Sequence, residues 1–193
     1  MLVGIVGAIR GGKSTATNFL VQNCNSYKAY NFADALKEHC CQFLPKEEIG
    51  WNGTDWTGPK TEAGRACLQE HGEGERKKNP NCWLDVVREK VKNDPTFIGV
   101  VGDARYINEL DWIAANGKIL YIHNEKAERA FIEDYKKRGK DALHSSEVEW
   151  RLWLLCNQGR YRTVDNNSTL ERLKDIMVGY YNIEIKRGTP WEE

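Results

Sequence analysis

The chain has no net charge: its 28 basic side chains are cancelled by 28 acidic ones. That balance creates no general field for polyanions, so bulk nucleic acid is not an expected partner. It also has no apolar run of membrane-spanning length, since its longest runs are strand-length and interrupted, and no membrane association is expected. The first apolar run starts at residue 2 and leads straight into a glycine-rich loop, so no signal peptide is expected either. Cys24, Cys40, Cys41, Cys67, Cys82 and Cys156 form no C-x-x-C pair, and His39 beside Cys40 and Cys41 lacks a second ligand cluster at zinc spacing. Free thiols in a reducing compartment are expected, hence a cytoplasmic protein. No internal repeat is present, nor an N-K-x-D base-specificity motif. What remains is a chain of 193 residues with 40% hydrophobic content and seven tryptophans, enough for one well-packed domain with small inserts.

Within it, Gly7, Gly12, Lys13 and Ser14 complete G-x-x-x-x-G-K-[ST], preceded by LVGIV from Leu2 to Val6, which reads as a buried strand. Glycines let the backbone curl so that several N–H groups converge on one anion, Lys13 can reach the β- and γ-phosphates, and the Ser14 hydroxyl can ligate Mg²⁺. A helix expected from about Ser14 to Val21 adds its positive end. Arg10, Gly11, Gly12, Lys13, Ser14 and Thr15 are therefore the candidate triphosphate-binding residues. The competing reading is a glycine-rich turn that binds nothing; strand, loop, Lys-Ser and helix in sequence argue against it.

Further strand-like runs fall at Phe97 to Gly102, Lys118 to His123 and Tyr161 to Val164, with a weaker one at Tyr27 to Asn31. Between them, Ala33 to Leu44, Glu62 to His71, Cys82 to Val91, Ile107 to Ala115, Lys126 to Lys137, Ser146 to Cys156 and Leu170 to Tyr180 carry apolar residues at three- and four-residue steps, the helical period. Ser146 with Glu149 reads as a capping box, and Asn79-Pro80 as a helix start. This alternation predicts an α/β fold, a mostly parallel five-stranded sheet with helices on both faces. Two stretches break the rhythm. Gly50 to Lys60, rich in glycine and tryptophan, is expected to be an ordered loop. Lys136 to Ser145 is basic, polar and hinged by Gly139, either a lid over the transferring phosphate or a solvated helix end.

In FIGVVGDAR an apolar strand ends in Asp103, with Arg105 two residues on. Ligands bind at the carboxyl ends of such strands, so Asp103 should face the phosphate loop, holding Mg²⁺ through water or orienting a nucleophile; a turn aspartate is the alternative. Asp34 and Lys37, three apart after the second strand, share one helical face and suit an acceptor that carries its own phosphate, unless they are simply an internal ion pair. Arg65 and Gln69 lie at i, i+4, spaced to clamp a monophosphate with a guanidinium fork while an amide reads a base edge. Arg76 and Trp83 could add a phosphate contact and a stacking surface, with surface charge and core as the alternatives; for Trp83 the core is preferred.

The order GxxxxGK[ST], FAxxLKE, a tryptophan-rich loop, EAGRxxLQEHG with a downstream NxW, a strand ending in GDARYxNEL, and HxSE resembles the phage deoxynucleoside monophosphate kinases, from Leu2 to about Trp150. The resemblance implies a phosphate-loop (P-loop) nucleoside monophosphate kinase-like fold in a single domain over residues 1–193. It also implies a monophosphate-binding insert at about 33–93, a lid at about 126–145, and transfer of the γ-phosphate of ATP, with Mg²⁺, to a deoxynucleoside 5′-monophosphate. By the same resemblance Gly12, Lys13, Ser14 and Thr15 hold ATP phosphates, Lys37, Arg65, Gln69 and Arg105 serve the monophosphate, and Arg129 or Arg138 comes from the lid. Lys13, Asp103, Arg105 and Arg138 are the expected catalytic residues; Asp34, Lys37, Arg65, Gln69, Arg129 and Trp150 the expected substrate-binding ones. Expected partners are small-molecule nucleotides, a homodimer being the macromolecular assembly considered; phage origin would place the chain in the host cytoplasm. Many relatives carry aspartate where this chain has Ser14, a departure toward the general nucleotide-binding pattern. Beyond Trp150 the match fades, and the adenine pocket is sought near Asn166 and Asn167.

The acceptor oxygen of a monophosphate is already anionic, so alignment and charge neutralisation should dominate, and His144 and Glu147 read as helix-start and hydrogen-bonding residues rather than an acid/base pair. An animal-type phosphomevalonate kinase shares the loop and a strand ending in Asp-x-Arg; Gln69 and Trp150 as base readers favour a nucleotide. A nucleotide-dependent switch is the rival of another class, and the missing N-K-x-D weighs against it.

Overall fold

The protein is described here from a computed structural model that covers residues 1–23, 25–52, 58–139 and 144–180, without the side chain of Arg138. Cys24, part of the Gly50 to Lys60 loop, and residues 140–143 of the expected lid lie outside the described residues.

The elements run β1 (Leu2–Val6), α1 (Lys13–Asn23), β2 (Tyr27–Ala29), α2 (Phe32–Cys40), α3 (Lys46–Ile49), α4 (Glu62–Lys78), α5 (Cys82–Lys92), β3 (Ile98–Val101), α6 (Ile107–Asn116), β4 (Gly117–His123), α7 (Glu125–Arg138), α8 (Ser145–Cys156), β5 (Arg162–Asp165) and α9 (Leu170–Tyr180). They group into two compact units, residues 1–29 with 96–193, and residues 30–95.

The first unit holds the sheet, in the order β2-β3-β1-β4-β5, with all four pairings parallel. All five residues of β1 are buried, because helices cover both faces of the central strand. On one face Val3, Ile5, Val100, Leu120, Ile122 and Val164 pack with Ala16 and Leu20 of α1 and Leu173 and Met177 of α9. On the other, α6 packs against β1 and β4 and is joined by α8. A Cβ on Gly4 of β1 would stand 2.9 Å from Ile113 Cγ2, so the strand admits α6 only because it offers no side chain there. The Trp153 indole N–H of α8 donates to Asp111 Oδ1 of α6 at 2.7 Å.

Among the described residues the second unit holds α2, α3, α4 and α5, with Cys40, Ile49, Trp51, Cys67 and Leu68 forming a buried cluster. Here two sequence expectations are corrected. Helix α4 does not stop near His71 but runs on through Gly72 and Gly74 to Lys78. Its start is fixed by Thr61, whose hydroxyl accepts from Gly64 N at 3.0 Å. Past His71, Gly72 is held by Leu36, 3.1 Å from where its Cβ would be, and by the Trp83 indole N–H at its carbonyl. Tertiary contact thus outweighs the helix-breaking tendency of about 1 kcal/mol per glycine. The helix expected over Ala33 to Leu44 ends at Cys40, since Pro45 bars helical geometry at Leu44, and Pro45 instead opens α3.

A third correction concerns the start of α8. His144 caps it, accepting from Ser146 N at 3.2 Å. Because the helix begins at Ser145, Ser146 is already inside it, and Glu149 accepts from Ile107 N instead of closing a box.

Candidate active site

In the first unit the chain leaves the carboxyl end of β1 into the glycine-rich loop and enters α1 at Lys13. Arg10 adopts φ 62°, left-handed backbone that a non-glycine residue holds at a cost of about 1 kcal/mol or more, and such strain clusters at functional sites. Gly12 follows at φ 101°, and a Cβ there would collide with the Asn166 amide nitrogen. That amide donates to Gly11 O at 2.9 Å, Asn166 N donates to His123 O at 2.8 Å, and the Asn124 amide donates to Asn166 O at 2.6 Å. The loop is therefore strapped to the turns after β4 and β5. Asn166, sought as a wall of the adenine pocket, holds the loop itself, and Asn167 accepts from Glu125 N at 2.7 Å.

Lys13 folds back so that its ammonium donates to Gly7 O at 2.7 Å and Ala8 O at 2.8 Å. Its pKa is pushed down to about 8, by burial first, then by Arg105 and Arg151, against the opposing pull of Glu147 and Glu128. Ser14 and Thr15 are exposed in the first turn of α1, and no acidic side chain stands in that turn to compete for an anion. These features fit a bound phosphate chain: a strapped, glycine-shaped loop, a desolvated ammonium and an uncontested helix start.

The β1–β3 pairing ends with Gly4 facing Val101, and Asp103 follows two residues later, in the turn after β3. A Cβ on Gly102 would collide with the Thr17 hydroxyl of α1, so this turn lies directly against the loop's helix. The turn is tied by Glu109, only 1% exposed, whose Oε2 accepts from Arg105 N at 2.9 Å and Tyr106 N at 3.2 Å. Sequence reading passed over Glu109; its signal was an acid three residues after Tyr106, the N-cap of α6. Among the described residues no group of three His, Cys, Asp or Glu side chains is placed to hold a metal ion. A Mg²⁺ here would depend on Ser14, Asp103 and substrate phosphates, which is how Mg²⁺ is commonly held.

Around Lys13 the structure brings together charges that the sequence keeps far apart. The Arg105 guanidinium bonds Glu147 on α8. Arg151, one turn further along α8, donates to Glu147 O at 2.5 Å and to Glu128 Oε2 of α7 at 3.0 Å, and its guanidinium lies 3.6 Å from the Phe131 ring centroid. Glu128 also accepts from the Tyr121 hydroxyl at 3.2 Å, whose pKa is pushed up to about 12 by burial and by Glu128. Arg151 and Glu128 were not among the expected site residues. Arg129, which was, is 76% exposed and pairs with Glu125 on its own helix, turned away from this cluster. Trp150, expected to read a base, is instead 2% exposed and packed 4.1 Å beneath the Arg151 guanidinium. Arg138 ends α7, and its side chain is outside the described residues.

In the second unit, Lys37 Nζ lies 2.9 Å from Asp34 Oδ1, while the Asn31 amide donates to Asp34 Oδ2 at 2.9 Å. The Lys37 ammonium also sits 4.3 Å from the Trp51 ring centroid. Asp34 and Lys37 thus pair with each other, largely buried, with the ammonium over an indole. Arg65 and Gln69 are both exposed on one face of α4, and their side chains bond to no described residue. Trp83 is buried, as preferred. Cys40 is free, its thiol pushed up to about 12 by burial, and it bonds Cys67 O at 3.7 Å.

No protein-family model matches this sequence, and no curated protein matches it. Among solved structures, a dephospho-CoA kinase from Campylobacter jejuni superimposes with a TM-score of 0.52 at 14% identity, covering 97% of this chain and 98% of that one. A shikimate kinase from Aquifex aeolicus, at 15% identity, covers 98% of this chain and 100% of that one with a TM-score of 0.46. The first likeness fixes the fold: five parallel strands with helices on both faces, the phosphate-loop kinase architecture. No described helix is long and apolar enough to cross a membrane.

Proposed function

We propose that the chain is a kinase that moves the γ-phosphate of ATP to a deoxynucleoside 5′-monophosphate, supplying diphosphates for DNA synthesis. The observation that carries the phosphoryl-transfer part is the gathering of Lys13, Arg105 and Arg151 beside a phosphate-shaped loop. A donor triphosphate and an acceptor monophosphate repel one another, and three cations, Lys13 after β1, Arg105 after β3 and Arg151 on α8, answer that repulsion. Gly12, Lys13, Ser14 and Thr15 would hold the donor. Mg²⁺, held by Ser14 and through water by Asp103, would neutralise charge on the phosphate oxygens. The acceptor oxygen is anionic at neutral pH, so the side chains align and neutralise rather than remove protons.

The nucleotide acceptor is supported by the sequence order of motifs and by Arg65 and Gln69, which share an exposed face one helical turn apart. Asp34 and Lys37 complete that set; Trp150 is withdrawn from it because its ring is spent on Arg151. The lid is proposed over 126–145, with Arg138 as its arginine.

The test is ADP release with Mg·ATP across the deoxy- and ribonucleoside monophosphates, with phosphomevalonate as a further arm. ADP formation that requires a deoxynucleoside monophosphate supports the reading. Release with phosphomevalonate alone, or slow release independent of acceptor, overturns it in favour of the small-molecule kinase or the switch.

A further inference from the structure

The carboxylate of Glu147 stands on Arg105, an arginine that the proposed reaction needs for a phosphate. Two anions cannot both have the same face of one guanidinium, so what happens to this pair is part of how the site works.

The two arginines bonded to Glu147 are held very differently. Arg151 has Glu128, the Glu147 carbonyl, and the Phe131 and Trp150 rings on its guanidinium. Arg105 has, among the described residues, only Glu147 on its guanidinium, and its side chain is 36% exposed against 14% for Glu147. Arg151 is fixed and Arg105 is exchangeable. Glu147, for its part, is not stranded if Arg105 leaves. It keeps Arg151 Nη1 at 3.5 Å from Oε2, and it stands in the first turn of α8, where the helix dipole favours an anion. Losing Arg105 therefore does not carry the several-kcal/mol penalty of an uncompensated buried charge.

We propose that Glu147 is a positioning residue of the transfer site: its carboxylate stands in for a substrate phosphate on Arg105, and on binding the phosphate takes its place while Glu147 remains on Arg151. Arg151 is the anchor of this exchange, and it keeps a second cationic side chain beside Lys13 throughout. The inference rests on the phosphoryl-transfer reading of the loop, but its consequence for anion binding does not need turnover.

The experiment titrates the full chain with inorganic tripolyphosphate, without divalent cations, by calorimetry at pH 6.5, where Lys13 stays protonated. Glu147→Gln removes the competing charge and keeps the shape. A neighbouring opposite charge is worth about one to three pKa units to an ionised group, so tripolyphosphate Kd should fall about tenfold. In an Arg105→Ala background most of that gain should vanish, because the face being competed for is gone. Glu147→Asp, with its carboxylate drawn back, should give a smaller gain of the same sign, and keeps the test open if the glutamine variant folds poorly. In turnover, Glu147→Gln should lower kcat about tenfold without raising the acceptor KM, since Arg105 binds more freely but is aimed less well. A merely structural glutamate would not produce that split. Unchanged or weaker tripolyphosphate binding in both variants, or an equal gain without Arg105, overturns the exchange. Should tripolyphosphate bind as expected while no acceptor is phosphorylated, the kinase reading fails and the exchange stands.

Discussion

Lys13 carries the strongest single prediction. Its ammonium is bonded to Gly7 O and Ala8 O and its pKa is lowered from 10.5 to about 8, by burial first, with Arg105 and Arg151 adding to it and Glu147 and Glu128 opposing. The interval corresponds to about 3 kcal/mol of preference for the neutral amine in the fold. Below pH 8 both the folded and unfolded chains hold the proton, and the fold bears the whole cost of the charge. Between pH 8 and 10.5 the unfolded chain keeps its proton while the folded chain sheds it, so this residue's contribution to stability improves as pH rises through that window. Lys13→Met removes the titration but leaves two loop carbonyls without their donor, at about 1–3 kcal/mol for such a lost bond. At pH 7 these effects nearly offset, and the variant should fold within about 2 kcal/mol of wild type, while losing phosphoryl transfer by about 10³-fold. Denaturant unfolding of both proteins at pH 7, 8.5 and 10 isolates the term, because other titrating groups cancel in the difference. Wild type should gain on the variant by about 2 to 3 kcal/mol across the series. A difference that ignores pH would refute the desolvated ammonium; near-normal turnover would refute its phosphate role.

Arg65→Ala should raise the acceptor KM about tenfold or more and leave the ATP KM nearly unchanged, and Lys should not rescue Arg65, because a point charge cannot reproduce a bidentate fork; Arg105→Ala should raise the acceptor KM by a similar factor. If the ATP KM rises instead, donor and acceptor sides have been exchanged. Asp103→Asn should cut kcat at saturating Mg²⁺ with little change in Tm, since the burial of this strand end comes from Val100 and Val101; a destabilised variant that is fully active per folded molecule would make Asp103 structural. Glu109→Ala leaves the Arg105 and Tyr106 N–H groups without their acceptor, for a loss of about 2–4 kcal/mol in denaturant unfolding. Wild-type stability there would show that the turn does not depend on the buried carboxylate.

Strands β1, β3 and β4 were legible because strands of a parallel sheet covered on both faces read as largely apolar runs, and each falls within about two residues of its expected run; β5, in which only Val164 is buried, offered a weaker signal. The length of α4 was not, since what carries it past Gly72 is Leu36 and Trp83, contacts from other helices that leave no local period. Trp150 is a different case. Ser146, Trp150, Trp153 and Leu154 repeat at three and four, and that spacing by itself assigns Trp150 to the buried face of α8, as its burial shows. The expectation that it reads a base set that period aside. Arg129 and Glu128 divide on the same ground: one residue is a turn of about 100° on a helix, enough to put Glu128 on Arg151 and Arg129 in solvent. Periodicity can therefore choose between neighbouring charged residues once a buried face is known, yet it cannot say which charge meets which. Arg105 and Glu147 are 42 residues apart, one after β3 and the other on the first turn of α8, and only the packing of α8 against α6 brings them together.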